Sequence, residues 1–224
     1  MPLALIIEDE VSLAETIELY LRNDNFRTER AHDGLRGLEL FRAAQPDLVI
    51  LDLGLPKLDG LDVLKTIRAE SSIPIIILSA RAEEVDELLG LGLGADAYLI
   101  KPASPRKLMA HVKAVLRRGK AMVEPTLQRF GKLEVDSYSM QVKVEGQALN
   151  LTPTEFRLLH YLSETPLRAI HRSELYEAAM PESDAYERAV DLHLTNLRRK
   201  LRQAGLDDLI ETVRGVGYRF VPPL

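Results

Sequence analysis

The chain has 224 residues, of which 46% are hydrophobic and 28% are charged, so it is long enough for two small domains and has the composition of an ordinary globular protein. Because it contains no cysteine, disulfide bonds, iron–sulfur clusters and thiolate metal sites are excluded. Its net charge is −5, and it has neither the basic start of a signal peptide nor the roughly 20 consecutive apolar residues of a membrane span, so we expect a cytoplasmic protein without a membrane partner.

The first half of the chain alternates apolar strands with amphipathic helices. Three continuous apolar runs and two weaker ones predict the strands Leu3–Ile7, Arg27–Ala31, Leu48–Leu51, Ile75–Leu78 and Ala97–Ile100. Helical patterns follow these strands near Val11–Asn23, Gly34–Ala44, Gly60–Ala69, Ala82–Leu91 and Ser104–Arg118. Strict alternation of five strands and five helices predicts an α/β fold with a doubly wound parallel sheet, of the flavodoxin type.

The alternation ends near Arg117–Pro125, where basic, small and proline residues are typical of a linker. Beyond it the sequence predicts short strands at Leu133–Val135 and Gln141–Val144, then helices, then a terminal hairpin, which together make a small α+β domain. We therefore predict a first domain over residues 1–118, a linker over 119–126 and a second domain over 127–224.

Three helices are predicted in the second domain. The first begins at Thr152-Pro153, since a capping threonine, a proline and Glu155 together form a helix start signal. The second lies near Arg172–Ala179 and the third runs from about Tyr186 to Ala204. The third helix has a core stripe at helical spacing, formed by Val190, Leu194, Leu197 and Leu201. Its other faces are polar and rich in arginine, which suits the major groove of DNA, although a solvated surface helix has the same pattern.

Four strand ends of the first domain carry polar residues that would meet at one edge of the sheet. Glu8-Asp9-Glu10 follow the first strand, Asp52 the third, Ser79 the fourth and Lys101 the fifth. Ligands of open α/β sheets bind at the carboxyl ends of the strands. Clustered carboxylates resist ionising together unless a cation neutralises them, and hard oxygen ligands on an open edge suit Mg²⁺.

This set contains the groups that are needed to receive a phosphoryl group. Asp52 can attack a phosphoryl donor as a carboxylate nucleophile and form an acyl phosphate. Mg²⁺ and the Lys101 ammonium would offset the charge on the phosphoryl oxygens, and the Ser79 hydroxyl would donate a hydrogen bond to one of them. Any one of these residues alone is more often a solvated surface group, but four strand ends together indicate a functional site.

Two other kinds of α/β protein are disfavoured. A flavodoxin-like mononucleotide binder needs small hydroxyl or glycine residues after the first strand, and Glu8-Asp9-Glu10 would repel a nucleotide phosphate. An NTPase is disfavoured because the chain contains no Gly-x-x-x-x-Gly-Lys-Ser/Thr loop.

Taken in order, five motifs of residues 1–118 resemble a receiver domain of two-component signalling: Ile7-Glu8-Asp9-Glu10, Leu51-Asp52-Leu53-Gly54-Leu55-Pro56 with Asp59-Gly60, Ser79-Ala80, Gly94-Ala95-Asp96, and Lys101-Pro102. The resemblance implies that a partner sensor histidine kinase phosphorylates Asp52 and that Mg²⁺ is the cofactor. It also implies the other site residues: Glu8, Asp9, Asp52 and the Gly54 backbone carbonyl bind Mg²⁺, Ser79 is the switch hydroxyl, Lys101 binds phosphate, and Tyr98 is the aromatic that follows Ser79 inward.

The end of the chain, Thr212-Val213-Arg214-Gly215-Val216-Gly217-Tyr218-Arg219-Phe220, looks like the wing of an OmpR/PhoB-type effector domain. Leu151-Thr152, Glu155-Phe156, Val190-Asp191-Leu192-His193-Leu194 and Leu197-Arg198 complete that resemblance over residues 127–222. It implies a winged helix-turn-helix that binds DNA, on direct-repeat half-sites. By this resemblance the DNA-binding residues are Arg188, His193, Asn196, Arg198 and Arg199 at the major groove and its phosphates, Thr212, Arg214 and Tyr218 at backbone phosphates, and Arg219 toward the minor groove.

Asn196 makes the half-site prediction more specific, because some relatives carry arginine there. Arginine favours guanine, whereas asparagine pairs best with the N6 and N7 atoms of adenine. We therefore expect an adenine preference in the half-site.

The chain departs from the family on the face through which active receivers of this type dimerise. The usual lysine and glutamate read Glu87 and Lys107, a charge swap, and a second ion pair is lost because its positions read Ala97 and His111. Ala103 replaces the usual phenylalanine after Lys-Pro. We expect a homodimer of the phosphorylated protein through this face, weaker or differently registered than usual, with Glu87, Lys107 and His111 at the interface. Drift of exposed residues is the alternative, since exposed ion pairs contribute only about 0–1 kcal/mol.

Two functions stay open. The first is a phosphorylation-switched transcription regulator, which is not an enzyme apart from its own phosphorylation and dephosphorylation. The second is a DNA-binding protein whose receiver is a constitutive interaction module. In relatives, the segment that reads Met180-Pro181-Glu182-Ser183-Asp184 here faces RNA polymerase, which is a third predicted partner.

Overall fold

The computed structural model describes residues 1–116, 127–180 and 188–223. The predicted linker and most of the segment expected to face RNA polymerase lie outside the described residues. The described residues divide into two compact units, Met1–Leu116 and the residues from Leu127 onward. No helix among them is long and apolar enough to cross a membrane.

The first unit alternates strands and helices in the order β1 (Leu3–Ile7), α1 (Val11–Asn23), β2 (Arg27–Ala31), α2 (Gly34–Ala44), β3 (Leu48–Leu51), α3 (Gly60–Glu70), β4 (Ile75–Ser79), α4 (Glu84–Gly92), β5 (Ala97–Ile100) and α5 (Pro105–Leu116). All neighbouring strands pair in parallel, in the order β2-β1-β3-β4-β5. The predicted doubly wound parallel sheet is therefore confirmed.

Helices cover both faces of this sheet. Side chains of α1 and α5, such as Ile17 and Val112, pack with Ile6 and Ile50 on one face. On the other face α2 approaches the strands so closely that a Cβ on Gly37 would lie 2.7 Å from a methyl carbon of Ile7. Burial on both faces explains why the central strands are continuous apolar runs. It also leaves the strand ends as the place for polar chemistry.

The second unit begins with an antiparallel sheet of β6 (Leu127–Phe130), β7 (Leu133–Asp136), β8 (Gln141–Val144) and β9 (Gln147–Leu149). Then come α6 (Pro153–Glu164), β10 (Ile170–His171), α7 (Arg172–Ala179) and α8 (Arg188–Gln203), followed by β11 (Ile210–Val213) and β12 (Gly217–Phe220). β10, β12 and β11 form a second antiparallel sheet in that order. The predicted winged helix-turn-helix is therefore confirmed.

Local signals of the sequence account for the start and core face of these helices. Thr152 and Glu155 form the predicted capping box at the start of α6, with Pro153 at its first position. The predicted core stripe of α8 is buried along its length, from Val190 to Leu201. The sequence did not predict β6, β9 and β10, which are short and lack strong alternation, and the predicted start of the third helix at Tyr186 lies outside the described residues.

Candidate functional site

The carboxyl edge of the parallel sheet brings three of the predicted site residues into direct contact. The Lys101 ammonium lies 2.7 Å from Asp52 Oδ2 and 2.8 Å from Glu8 Oε1, and donates a hydrogen bond to each. Glu8 is 1% exposed and Asp52 is 6% exposed. Backbone bonds hold this geometry, because the Asp52 N–H donates to Ile7 O on the neighbouring strand and the Lys101 N–H donates to Ser79 O. The Lys101–Pro102 peptide bond is cis.

Burial and pairing set the protonation of this edge. Burial raises the pKa of the Glu8 carboxyl, the Lys101 hydrogen bond partly opposes that rise, and the charge of Asp52 adds to it. Burial alone would lower the pKa of Lys101, but the hydrogen bonds to Asp52 and Glu8 raise it instead. Lys101 therefore remains a cation, and Glu8 depends on positive charge nearby to stay ionised.

The edge also has the donor set that a hard divalent cation requires. One carboxylate oxygen from each of Glu8, Asp9 and Asp52 lies within 4.8 Å of the others. Asp9 is exposed, so the group opens to solvent on that side. Such an open set of oxygen donors fits Mg²⁺, which retains several waters when proteins bind it. Gly54, the fourth predicted ligand, donates its N–H to Asp52 Oδ1 at 3.2 Å, and the role of its carbonyl stays a prediction.

The segment after β4 connects Ser79 and Tyr98. Ser79 is 1% exposed, and its hydroxyl oxygen accepts a hydrogen bond from the Arg81 N–H at 3.2 Å. Tyr98 is 2% exposed, as expected for an inward aromatic, and its hydroxyl donates to Arg81 O at 2.8 Å. The Arg81 guanidinium pairs with Asp59, which caps α3, at 2.8 Å. Sequence reasoning missed Arg81, and only its place two residues after Ser79 could have indicated it.

The predicted dimer residues are only partly at the surface. Lys107 is exposed, whereas Glu87 is 7% exposed and His111 is 2% exposed in the single chain, so the interface role of these three residues stays a prediction. His111 lies on the buried stripe of α5 with Leu108 and Val112. Burial, followed by repulsion from Lys107, lowers the pKa of His111 to about 4. Burial also raises the pKa of Glu87.

In the second unit, α8 presents a polar face. Arg188, Thr195 and Arg199 are exposed on it, and Asn196 is half-buried. Arg199 donates to Asn196 Oδ1 at 3.4 Å, so the two side chains lie together. Arg188, Asn196 and Arg199 are predicted DNA-binding residues, and their contact with DNA stays a prediction.

Two of the predicted DNA contacts are internal. His193 is 0% exposed and lies among the core residues of α8, so it does not face the surface as predicted. Tyr218 is 4% exposed, and its hydroxyl donates to Asp191 Oδ1 at 2.6 Å instead of facing outward. Their polar identity suggested a surface role, but packing of α8 and the hairpin against the unit buries both.

The remaining predicted contacts lie on the hairpin and beside it. Arg198 donates to Ile210 O at 2.8 Å and to Thr212 Oγ1 at 2.9 Å, so it connects α8 to β11. Arg219 pairs with Glu211 at 2.7 Å. Arg214 is exposed at the hairpin turn, next to Gly215, whose φ of +76° favours glycine. Sequence reasoning missed Arg172, which opens α7 and bonds to Asp191.

Two family models match the chain, one in each unit. The model described as "Response regulator receiver domain" matches residues 4–113. The model described as "Transcriptional regulatory protein, C terminal" matches residues 146–220. These matches cover the edge of the parallel sheet and the helices and hairpin of the second unit.

Relatives match along nearly the whole chain. The transcriptional regulatory protein CseB of Streptomyces coelicolor is 42% identical over 229 residues, covering 96% of each chain. The DNA-binding response regulator MtrA of Mycolicibacterium smegmatis is 39% identical, covering 98% of this chain and 96% of that protein. Among solved structures, the response regulator DrrB, an OmpR/PhoB homolog of Thermotoga maritima, is similar with a TM-score of 0.53 and 26% identity, covering 99% of both chains.

Proposed function

The chain belongs to the OmpR/PhoB family of two-component response regulators, and from that premise we propose that phosphorylation of Asp52 switches DNA binding by the second unit. It is a regulator of transcription with a DNA-binding domain. The observation that carries the proposal is the contact of Lys101 with both Asp52 and Glu8 at the carboxyl edge of the sheet.

In the proposed reaction, Asp52 receives the phosphoryl group of a phosphohistidine on a sensor kinase. A carboxylate oxygen of Asp52 forms a bond to phosphorus, the phosphorus–nitrogen bond breaks, and the kinase imidazole leaves with that electron pair. Lys101, already 2.7 Å from Asp52, moves its contact to a phosphoryl oxygen. The Ser79 hydroxyl then donates to another phosphoryl oxygen.

Mg²⁺ is the cofactor that we propose for this edge, held by Glu8, Asp9 and Asp52. When bound, it would offset the negative charge of the carboxylates and of the phosphoryl oxygens. Glu8 supplies a donor only when ionised, so the burial that raises its pKa weakens this donor as pH falls. Asp9, exposed beside it, keeps the edge open to solvent and to the phosphoryl donor.

We propose that the second unit binds DNA through the polar face of α8 and through the hairpin of β11 and β12. Arg188, Asn196 and Arg199 would contact the major groove and its flanking phosphates, and Arg214 would contact the backbone beyond it. Arginine and asparagine are the residues that read guanine and adenine edges most directly, and exposed arginines supply the phosphate contacts. His193 and Tyr218 are left out of this proposal because both are buried.

We further propose that the phosphorylated protein dimerises on direct-repeat half-sites through α4, β5 and α5. Lys107 is the predicted interface residue that is exposed, and Val85 and Ile100, 71% and 43% exposed, add apolar area. Sedimentation with and without beryllofluoride, a mimic of the acyl phosphate, tests this. A monomer under both conditions, on and off DNA, would contradict it.

The intact mass of the protein after incubation with acetyl phosphate and Mg²⁺ tests the phosphorylation step. We expect the mass of one phosphoryl group on the wild type and none on Asp52→Ala. Asp62→Ala, which removes an exposed acid of α3, is the matched control and should be modified like the wild type. Without an adduct on the wild type, the receiver would instead be a constitutive interaction module.

A further inference from the structure

A single carboxylate on α8 joins the helix to the hairpin and to α7. Asp191 Oδ1 accepts a hydrogen bond from the Tyr218 hydroxyl at 2.6 Å and from Arg172 Nε at 2.9 Å. Arg172 is the first residue of α7, and Tyr218 lies on β12. Three elements that are separate in the sequence therefore meet at one oxygen atom.

Two guanidinium groups lie against the ring of the same tyrosine. The Arg172 and Arg198 guanidinium carbons are 5.2 Å and 5.1 Å from the Tyr218 ring centroid, within the range of cation–π attraction. Arg198 also donates to Ile210 O and Thr212 Oγ1 on β11. We call these four residues, Arg172, Asp191, Arg198 and Tyr218, the Asp191 clamp.

The backbone also helps to place the clamp residues. Ile170 on β10 pairs with Tyr218 on β12. A Cβ on Gly217 would lie 2.1 Å from Ile170 O, so only glycine permits this approach of the two strands. The close approach brings Tyr218 beside Arg172, two residues after Ile170.

The charges of the clamp do not cancel. It holds two guanidinium groups and one carboxylate, and burial together with the Asp191 hydrogen bond raises the pKa of the Tyr218 phenol, so that ring stays neutral. The clamp therefore has a net positive charge. The side chains of Arg172 and Asp191 are 33% and 40% exposed, so the clamp reaches the surface. An acid at that surface would by itself repel DNA phosphates, so Asp191 can favour DNA binding only through the groups that it holds in place.

We propose that Asp191 is a positioning residue for DNA binding and that Arg172 is a further phosphate-binding residue. Asp191 holds the Arg172 guanidinium directly, and through Tyr218 it orients the ring against which the Arg198 guanidinium lies, so that both groups are ready for backbone phosphates. Arginine side chains lose much rotamer freedom when they bind, and a group already held in place loses less. The inference rests on the proposed DNA binding of this unit. It concerns the geometry that serves the DNA contacts, and it does not depend on phosphorylation.

The direction in which Asp191→Ala changes the affinity for DNA distinguishes a positioning role of Asp191 from a purely electrostatic role. If Asp191 acted only as a negative charge, Asp191→Ala would tighten binding to DNA. If Asp191 positions the two arginines, the same substitution weakens binding by about tenfold. The probe is a duplex recovered from a random-sequence library with the wild-type full chain after incubation with acetyl phosphate and Mg²⁺, and every variant is treated in the same way.

The matched control removes an exposed acid of the same unit that lies outside the clamp. Asp207 Oδ1 is 3.5 Å from Arg202 Nε, and both side chains are about two-thirds exposed. We expect Asp207→Ala to bind the duplex as tightly as the wild type or more tightly. A second readout is the Arg172 Nε–H resonance, whose slow exchange with solvent should be lost in Asp191→Ala and kept in Asp207→Ala.

Each outcome decides the inference. A folded Asp191→Ala that binds as tightly as the wild type overturns it while leaving the proposed DNA binding intact. If Asp191→Ala does not fold, Asp191→Leu takes its place, since it removes both acceptor oxygens and the charge while keeping a similar side-chain volume; weaker binding supports the inference and unchanged or tighter binding overturns it. If the wild type recovers no duplex from the library, both the DNA-binding proposal and this inference fail.

Discussion

At the carboxyl edge of the first unit, Glu8 and Asp52 are almost fully buried and share one lysine, whereas Arg188, Arg199 and Arg214 of the second unit lie exposed along a helix and a turn. Removing one member of a buried charged group leaves its partners uncompensated, and this is costly. Exposed charges act more independently, and each contributes little. Single substitutions should therefore act almost as on–off changes at the edge and as graded changes on the DNA-binding face.

The largest effect is expected for Lys101→Ala. Without the ammonium, Glu8 and Asp52 lose the side-chain cation that contacts both of them, and the phosphoryl oxygens lose the proposed Lys101 contact. We expect phosphorylation by acetyl phosphate to slow by about 100-fold, measured as the rate at which the phosphoryl adduct appears in the intact mass. Lys65→Ala, which removes an exposed lysine paired with Asp62, is the control and should react at the wild-type rate. Equal phosphorylation rates for the two variants would show that a substitution at the buried edge has no larger effect than one at an exposed position, which contradicts the prediction.

The next largest effect is expected for His111, a buried group that lowers stability at acidic pH. The pKa of His111 is about 4 in the folded protein and 6.5 ordinarily, so the unfolded chain binds more protons between these values. The free energy of unfolding therefore falls as pH falls below 6.5, by about 1.4 kcal/mol per pH unit, and levels off near pH 4.

Urea unfolding across that pH range measures the effect of His111. His111→Gln, which cannot ionise, should lose this part of the pH dependence of the first unit. His171→Gln removes an exposed histidine of the second unit and should leave it unchanged. A wild-type stability that does not depend on pH in this range would show that His111 is not buried in its neutral form.

A smaller effect, confined to one base pair, is expected for Asn196→Ala on the polar face of α8. A bidentate contact between asparagine and adenine accounts for about 1–3 kcal/mol of discrimination. Selection from a random duplex library should show relaxed preference at one position, with other positions retained. Identical preferences for variant and wild type would contradict the adenine contact.

The smallest effect is expected for Arg214→Ala at the hairpin turn. Loss of one phosphate contact should weaken binding to all duplexes about equally and reduce the salt slope of log K by about 1. The control is Arg129→Ala, which removes an exposed arginine of the antiparallel sheet at the start of the second unit. A change restricted to particular sequences would assign Arg214 to base recognition instead.

The difference between the sheet edge of the first unit and the helix and hairpin of the second also explains which site residues could be predicted from the sequence. The ends of parallel strands meet at one edge whatever their side chains are, so Glu8, Asp52 and Lys101 could be brought together from the strand order alone. The position of Arg81 two residues after Ser79 could have indicated that it lies near this edge, but its contact with Asp59 depends on the path of two loops and could not be predicted.

On a helix, each residue turns the direction of the side chain by about 100°, so a polar identity does not establish a surface position. His193 lies three residues after Val190 and four before Leu197, on the core side, and the spacing could have indicated its burial. His111 lies in the same way on the stripe of Leu108 and Val115. The Asp191–Tyr218 bond joins residues 27 positions apart and depends on how the hairpin docks, which no local pattern contains.

The central claim is that the phosphorylated edge of the first unit controls the DNA-binding face of the second. Its most direct test is the affinity of the full chain for a selected duplex, measured with and without acetyl phosphate and Mg²⁺, for the wild type and for Asp52→Asn. We predict that phosphorylation tightens binding by the wild type and leaves Asp52→Asn unchanged. Equal affinities of the wild type in both conditions, with the phosphoryl adduct present by mass, would contradict the account.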